Sequence, residues 1–498
     1  MPRLTKTTDS RQRRLSRLGR VGLLLTAGLL TGSLPVGTVL GATTPDAAAV
    51  GDTAWQTETA ALVSAAQLAG ATQLAALIED WPLPDESDVL DRQVIVPIAE
   101  RLQPPTELTA DTQPLWEEFV TLRRQRAARF FDQATEAVNC LRRVPNAHTP
   151  TTTSEAVRLL FRTLREDPDH AAARQAVGYV ARDGCWVWPN VARRLSRRQS
   201  FTEGRGWQAR GRLTVPANTP KAVPGQTVPL AQADRFASAH WEIRTTAGLE
   251  AAGALAGRLE ATRLFWLQAF GGFAYLPSEL QRRLAGQARP LPTADFKAVL
   301  LADRRQYIAE LKQLEPRIAE TLGIYWTPTQ TAWFFLGDEQ PARTVEHEAT
   351  HQLFAESRRT SPTAGSRHGM WALEAVACYM ESLEATPFGF TLGGRSAGRV
   401  PAARERLLDD GFVVPLRELC GLDRASLQND PRLPQIYSQL SGLADFFLNG
   451  DRGRYRDAFL EYLIGLYQGT ADSDTLWKRC NRTPEQLDDA YRRHLAPS

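Results

Sequence analysis

Two histidines lie four residues apart and enclose an acidic residue in the segment His347-Glu348-Ala349-Thr350-His351. If this segment is helical, both imidazoles share one face and can bind one metal ion, because residues i and i+4 are neighbours on a helix. Zinc lowers the pKa of a bound water to about 7, and a carboxylate beside it can take the proton as the water attacks a carbonyl carbon. The segment therefore predicts a zinc-dependent hydrolytic centre with His347 and His351 as ligands and Glu348 as general base.

Chance gives this motif rarely in a chain of this composition. With 7 histidines among 498 residues, a random His-Glu-x-x-His is expected on the order of a hundredth of a time. Residues 342–356 contain neither glycine nor proline, which favours a helix around the motif. The alternative, two histidines exposed on a helix without a ligand, explains the pattern less well.

A catalytic zinc ion takes three protein ligands, so a third must come from elsewhere in the chain. Phe354 and Ser357 stand where the metzincin pattern has glycine and histidine, which excludes that class. A second, apolar helix is expected at 370–382, and it carries Glu374 among apolar neighbours. A buried carboxylate without a partner is costly, and a metal ion is a suitable partner. We therefore predict Glu374 as the third zinc ligand.

Other polar residues near these helices are expected to play lesser parts. Glu381 and Glu384 follow Glu374 and are expected to support the ligands or to face solvent, and Glu346 could also support the site from outside the ligand set. His368 lies in the connector between the two helices, where exposure to solvent is the more frequent outcome than contact with a substrate.

These segments resemble the peptidase-MA-like domain of the gluzincin metallopeptidases, and in particular a bacterial family designated domain of unknown function 1570. The resemblance extends from about residue 237 to about residue 470 and depends on the strand 331–336, the His347–His351 motif, 371–381, 437–448 and 453–463. It implies a third ligand on a Trp-x-x-Glu helix, which corresponds to Glu374, with Ala375 where glycine is usual.

The resemblance also implies a helix-borne tyrosine that hydrogen-bonds the oxyanion, and Tyr437 lies 63 positions after Glu374. Its phenol could stabilise a tetrahedral intermediate, while a tyrosine that only anchors its helix is an equally good interpretation. The glycine-rich substrate motif of aminopeptidases is missing, and Gly337-Asp-Glu-Gln-Pro341 stands in its place. Specificity for a free amino terminus is therefore not implied.

The elements around the motif predict an α+β fold. Apolar and β-branched runs favour three strands, and helical periodicity favours two helices between them, before the chain turns helical from Ala342 to its end. The expected strands are 239–245, 296–301 and 331–336, and the expected helices are 249–270 and 304–322. We expect the strand 331–336 to pair with an extended substrate backbone.

The residues before this domain predict a separate, mainly helical region at 43–236, followed by the peptidase-MA-like domain at 237–498. The boundary is expected within 200–236, a polar stretch that contains four prolines and four glycines. Four arginines on one expected helix, Arg123, Arg124, Arg126 and Arg129, are interpreted as a solvated face rather than as a binding patch.

The first 20 residues hold seven basic residues and one acidic residue, and an apolar run at 21–30 and several small residues follow. This order is typical of a secretory signal, so we predict a signal peptide at 1–42 and export to the periplasm or the extracellular space. An uncleaved anchor is the alternative, although Pro35 and several glycines weaken a spanning helix. Without residues 1–20 the formal charge of +3 becomes −3, so the composition does not indicate nucleic-acid binding.

The hypothesis that explains most of these features is an exported zinc-dependent metallopeptidase that acts on a peptide or protein substrate. One alternative is a non-catalytic envelope binding or scaffold protein that has kept a gluzincin fold. Another is a zinc hydrolase with a substrate other than a peptide. Five cysteines without CxxC spacing do not predict a structural zinc site.

Overall fold

A computed structural model describes residues 47–81, 91–98, 101–143, 150–209, 228–287, 295–338 and 343–496. The expected signal segment 1–42 lies outside these ranges. Within them the chain combines many helices with small sheets, so the expected mixture of helix and sheet is confirmed. No helix in the described part of the chain is both long and apolar enough to cross a membrane.

The helices of the described ranges are numbered in chain order. They are α1 Ala47–Leu68, α2 Thr72–Glu79, α3 Gln113–Arg143, α4 Pro150–Glu166, α5 Ala171–Val177, α6 Pro189–Ser196, α7 Leu249–Ala269, α8 Gly271–Ala274, α9 Pro277–Leu284, α10 Arg304–Leu311, α11 Thr344–Glu356, α12 Met370–Met380, α13 Val400–Asp409, α14 Leu416–Gly421, α15 Arg424–Gln428, α16 Leu433–Gly453, α17 Arg456–Gln468, α18 Thr475–Cys480 and α19 Pro484–Leu495.

The strands form one five-stranded sheet, one three-stranded sheet and two hairpins. They are β1 Gln93–Ile95, β2 Val180–Arg182, β3 Cys185–Val187, β4 Gln199–Thr202, β5 Gly206–Ala209, β6 Asp234–Ala237, β7 Trp241–Thr245, β8 Phe296–Leu301, β9 Ile324–Trp326, β10 Thr331–Phe335, β11 Glu384–Thr386 and β12 Gly389–Leu392.

The large sheet has the strand order β6-β7-β8-β10-β9. The strands β7, β8 and β10 are parallel, whereas the outer strands β6 and β9 are antiparallel to their neighbours. Alternate side chains such as Ala298 and Ala332 belong to the main hydrophobic core, whereas Val299 and Phe335 belong to a smaller core beside α10. The sheet is therefore covered on both faces.

This strand order corrects the expected role of residues 331–336. The strand β10 lies between β8 and β9, and β9 pairs with its residues 331–333, so these residues have no edge left for a substrate backbone. The prediction was wrong for this part of the strand because local sequence identifies a strand but not its neighbours. The edge strand on this side of the sheet is β9, which the sequence did not reveal because it is only three residues long.

The helix α11, which carries the histidine motif, is joined to the central strands of the sheet by the side chain of Gln352. The amide oxygen of Gln352 accepts a hydrogen bond from the indole of Trp241 at 3.1 Å, and its amide nitrogen donates to the carbonyl of Lys297 at 3.1 Å. Glu346 forms an ion pair with Arg258 of α7 at 2.7 Å. These contacts fix the helix at the sheet and against α7.

Two sequence predictions in this half of the chain were wrong in part. The helix expected at 304–322 ends at Leu311, because Pro316 lacks the backbone N–H that a helix interior requires. The expected helical run after Ala342 is interrupted by the hairpin of β11 and β12. This hairpin is completed by β1, which pairs with β12 from almost 300 positions earlier in the chain.

Packing continues across the position expected to separate two domains. Besides the pairing of β1 with β12, the amide of Gln268 in α7 donates to the carbonyl of Val96 at 2.8 Å and accepts from its N–H at 3.0 Å. One hydrophobic core runs from Val94 to Leu495. The residues before 237 therefore support the second half of the chain directly.

The arginines of α3 also differ from the expectation. Arg123 and Arg126 are buried, with 4% and 5% of their surface exposed, and they surround the carboxylate of Glu166 together with Arg165. The guanidinium groups of Arg123 and Arg165 lie 4.1 Å and 4.6 Å from the ring centre of Trp81. The solvated face was a wrong interpretation for these two arginines, because their partners lie on other elements.

Gly272 provides a test of the contact between α4 and α8. A Cβ atom at this position would lie 2.0 Å from the carbonyl oxygen of Pro150, and the Gly272 N–H donates to the hydroxyl of Ser154 at 2.8 Å. We expect Gly272→Ala to lower the free energy of unfolding by about 2 kcal/mol or more, because backbone must move to admit the methyl group. Chemical denaturation measures this change.

The matched control is Gly257→Ala in the exposed face of α7, where a Cβ atom meets nothing within 4 Å. Alanine is preferred to glycine inside a helix, so we expect this control to raise stability by about 0.5–1 kcal/mol. Equal effects of the two substitutions would show that the α4–α8 contact contributes nothing.

Candidate metal centre

The helices α11 and α12 bring the three predicted ligands together. The Nε2 atoms of His347 and His351 lie 3.2 Å apart. The Oε2 atom of Glu374 lies 3.4 Å from the Nε2 atom of His347 and 3.6 Å from that of His351. Glu374 lies 27 positions after His347 and 23 positions after His351, yet the donor atoms of the three residues form a small triangle.

The size of this triangle fits zinc. Bonds of about 2.0–2.1 Å in a tetrahedral site separate neighbouring ligand atoms by about 3.3–3.4 Å. The three observed separations, 3.2, 3.4 and 3.6 Å, are close to that spacing. Two neutral imidazoles and one carboxylate are also a ligand set that catalytic zinc accepts, with the fourth position left for water or substrate.

The electrostatics of the centre favour a positive charge inside the triangle. Glu374 is 5% exposed; burial alone would raise the pKa of its carboxyl, but the imidazoles of His351 and His347 hold that pKa well below its usual range. Burial would likewise lower the pKa of His347, yet contacts with Cys378, Glu374 and Glu381 raise it well above its usual value. In the metal-free chain, protons on imidazole supply the charge that the carboxylates require.

Glu381 contacts Nδ1 of His347, the ring nitrogen that is not part of the triangle. Its Oε1 atom lies 2.8 Å from the Nδ1 atom of His347, and both of its oxygens accept hydrogen bonds from the guanidinium of Arg399, at 2.7 and 2.9 Å. A carboxylate on Nδ1 keeps the proton there and leaves Nε2 free for a metal. Sequence reasoning placed Glu381 near the site but missed Arg399, which follows it after the β11–β12 hairpin.

Cys378 was also missed. Its sulfur belongs to a cluster with His347 and Glu381 in which one donor atom of each residue lies within 4.8 Å of the others. The thiol is buried, burial raises its pKa, and like the other four cysteines it forms no disulfide. It therefore lies beside His347 together with Glu381. Its position on α12, one turn after Glu374, is the signal that could have identified it.

Glu348 faces the edge strand of the large sheet. Its Oε2 atom accepts a hydrogen bond from the backbone N–H of Tyr325 in β9 at 2.7 Å. A Cβ atom on Gly323, just before this strand, would lie 2.7 Å from Thr344 and 3.2 Å from the Cγ atom of Glu348. The glycine thus lets the chain before β9 approach α11, which is what brings the amide of Tyr325 within reach of Glu348.

Tyr437 of α16 lies at the same centre. Its hydroxyl donates a hydrogen bond to the Oε2 atom of Glu374 at 3.0 Å, and its ring centre is 6.5 Å from that of His347. Burial, followed by the nearby Glu374 carboxylate, raises the pKa of this phenol well above its usual value. Tyr437 therefore stays protonated and can serve as a hydrogen-bond donor beside the predicted ligands.

The remaining candidates have partners of their own. Glu346 pairs with Arg258, as described above, and Glu384 pairs with Arg92 of the preceding half at 3.1 Å. The side chain of His368 is partly buried rather than fully exposed, and its Nδ1 atom has no hydrogen-bond partner among the described residues.

Metal content tests the triangle directly. We expect the wild-type protein to contain about one zinc ion per chain, and His347→Ala or Glu374→Ala to lose it, because two ligands do not hold a catalytic zinc ion. Elemental analysis after dialysis measures the ratio. Glu384→Gln is the matched control, since it removes a nearby carboxylate outside the triangle, and it should keep the metal; equal zinc in all four proteins would disprove the ligand set.

The buried carboxyl of Glu356, two helical turns after Glu348, should make the stability of the protein depend on pH. Burial raises the pKa of its carboxyl to about 7, although Gln352 donates a hydrogen bond to it at 2.9 Å. A carboxyl whose pKa is raised by folding destabilises the protein as the pH rises through about 4.5 to 7. We expect Glu356→Gln to be more stable than wild type by roughly 1–3 kcal/mol at pH 8 and by much less at pH 5.

Chemical denaturation of the zinc-loaded proteins at the two pH values measures this difference. Comparing the two proteins at each pH cancels the effect of pH on metal binding, which both share. A constant difference between the proteins from pH 5 to pH 8 would show that Glu356 titrates normally.

Comparisons with known proteins do not assign this chain to a family. Neither the protein-family models, nor the curated proteins, nor the solved structures gave a significant match. A function can therefore be inferred only from the geometry of the centre, and the gluzincin resemblance stays a prediction.

Proposed function

We propose that this chain is a zinc-dependent metallopeptidase in which His347, His351 and Glu374 hold the metal. The observation that carries the proposal is the triangle of donor atoms, 3.2 to 3.6 Å on a side, with a general-base candidate directly after the first ligand. Zinc bound there would supply an acidified water and a positive charge for the substrate carbonyl.

Glu348 would act as the general base. One of its oxygens, Oε2, is held by the amide of Tyr325, and no other hydrogen bond to this carboxylate is found in the described ranges. Oε1 is therefore the oxygen that can accept a proton from the attacking water and pass it to the leaving amine. The backbone hydrogen bond fixes the position of the carboxylate.

Tyr437 would stabilise the negative charge that develops on the substrate oxygen. Its hydroxyl is already directed at the centre, where it donates to Glu374, and a small rotation would transfer this hydrogen bond to the substrate. Such donors contribute most where water is excluded. The helix-anchoring alternative is less favoured, because the hydroxyl contacts a predicted ligand rather than a neighbouring helix backbone.

The edge strand β9 supports a peptide substrate over other substrates. The N–H of Tyr325 bonds Glu348 rather than β10, so the outer edge of β9 faces the general base. No strand of the described ranges pairs with that edge. An extended peptide that added to this edge would take the N–H of Tyr325 from Glu348, which would leave that carboxylate free beside the peptide.

The matched substitution for the base is Glu348→Gln, which keeps the shape and the zinc ligands. We expect it to lower the rate of peptide hydrolysis by about 10²–10⁴-fold, because general base catalysis contributes about that much, and to keep the metal. Tyr437→Phe should lower kcat by about 10²-fold with little change in KM. Mass spectrometry of a peptide library before and after incubation measures the cleavage.

Glu384→Gln again serves as control and should cleave at the wild-type rate. A zinc-loaded wild type that cleaves no peptide in the library would favour the scaffold alternative or a different substrate. Full activity in Glu348→Gln would instead remove Glu348 from the mechanism.

A further inference from the structure

Arg399 is the residue immediately before α13, and its guanidinium contacts two residues of the metal centre, Glu381 and Tyr437. It makes two parallel hydrogen bonds to Glu381, at 2.7 and 2.9 Å. The side chain of Glu381 is 9% exposed, whereas that of Arg399 is 44% exposed. This two-pronged geometry is the strongest form of contact between an arginine and a carboxylate.

The same guanidinium also contacts the tyrosine of the centre. Its central carbon lies 5.6 Å from the ring centre of Tyr437, a cation–π distance. Glu381 contacts the ligand His347, and Tyr437 contacts the ligand Glu374. One side chain outside the triangle thus touches the supporting partners of two different ligands.

The backbone that carries Arg399 is held firmly. Gly398, just before it, has a φ of +56°, and a Cβ atom there would lie 3.0 Å from the side chain of Ser382 at the end of α12. The hydroxyl of Ser382 accepts the N–H of Gly393 at 2.8 Å, and the N–H of Gly394 donates to the buried Asp445 at 2.7 Å. The connection from β12 to Arg399 is therefore packed against the helix that bears Glu374.

We propose that Arg399 is a positioning residue that prepares the centre for zinc. It fixes Glu381, so that the Nδ1 atom of His347 keeps its proton and the Nε2 atom faces the metal, and it holds the ring of Tyr437 beside Glu374. The inference rests on the proposed zinc centre and deepens it. An ion pair with only a structural part would affect the stability of the protein and leave its zinc affinity unchanged.

Zinc affinity, measured by competition with a chelator, tests the inference without any substrate. We expect Arg399→Gln to bind zinc about 10–100-fold more weakly, because outer partners of metal-bound histidines contribute that much. Arg399→Lys should lie in between, since one ammonium group cannot reproduce the two parallel hydrogen bonds to Glu381.

The matched control is Arg193→Gln. Arg193 of α6 also pairs with a mostly buried carboxylate, that of Asp295, at 2.6 Å, and its side chain is 26% exposed. This pair does not touch a ligand, so we expect the zinc affinity to change by less than about twofold. A loss equal to that of Arg399→Gln would overturn the inference, because both losses would then reflect stability alone.

A double substitution tests the route through Glu381. We expect Glu381→Gln/Arg399→Gln to bind zinc at most about fivefold more weakly than Glu381→Gln, because only the cation–π contact of Arg399 with the Tyr437 ring is then left to lose. The inference would be overturned if the losses of zinc affinity in the two single variants multiplied in the double variant. It would also be overturned if Arg399→Gln bound zinc as tightly as the wild type. Zinc binding without peptide cleavage in the wild type would overturn the proposed function but leave the role of Arg399 intact, whereas a wild type without zinc affinity overturns both.

Discussion

The burial of Glu374 between two histidines is the constraint on which the rest of the centre depends. A carboxylate that is 5% exposed cannot remain charged without a compensating cation, and its Oε2 atom has two imidazole nitrogens and a phenol around it at 3.0 to 3.6 Å. Hydrogen bonds from neutral groups alone would not offset the cost of this burial. A divalent cation within the triangle would compensate this charge, and the raised pKa of His347 reflects the same demand for positive charge.

Such a triangle requires that two helices keep their positions to a fraction of an ångström. Gln352 joins α11 to β7 and β8. The helix α12 is fixed by Tyr379, whose hydroxyl accepts from Gln93 of β1 at 2.8 Å and donates to Asn449 of α16. The first half of the chain thus reaches the helix of the third ligand through a single buried hydroxyl. This contact gives the residues before 237 a definite part in the centre.

Short-range sequence patterns were sufficient to predict the ligands of the centre and the helices and strands near them. The spacing of His347 and His351, the apolar setting of Glu374 and the runs at 296–301 and 331–335 are short-range patterns, and each element was found close to its predicted place. The rest depends on pairing between distant segments. No short segment of sequence shows that β1 pairs with β12, that β10 lies inside the sheet, or that Arg399 contacts Glu381. Burial of Arg123 was missed for the same reason.

The charges around the centre give the most economical account of why Arg399 belongs to it. Glu348, Glu374 and Glu381 bring three negative charges close to two neutral imidazoles, and Arg399 returns one positive charge. A divalent cation makes this group electrically neutral, whereas its loss leaves two uncompensated negative charges in a mostly buried space. The raised pKa of His347 is the expected response, since a proton on that imidazole replaces part of the missing charge. Without Arg399 the group would stay negative even with zinc bound. In the proposed centre the arginine would therefore offset the charge of Glu381 and leave the charge of a bound metal ion to the ligands and the substrate.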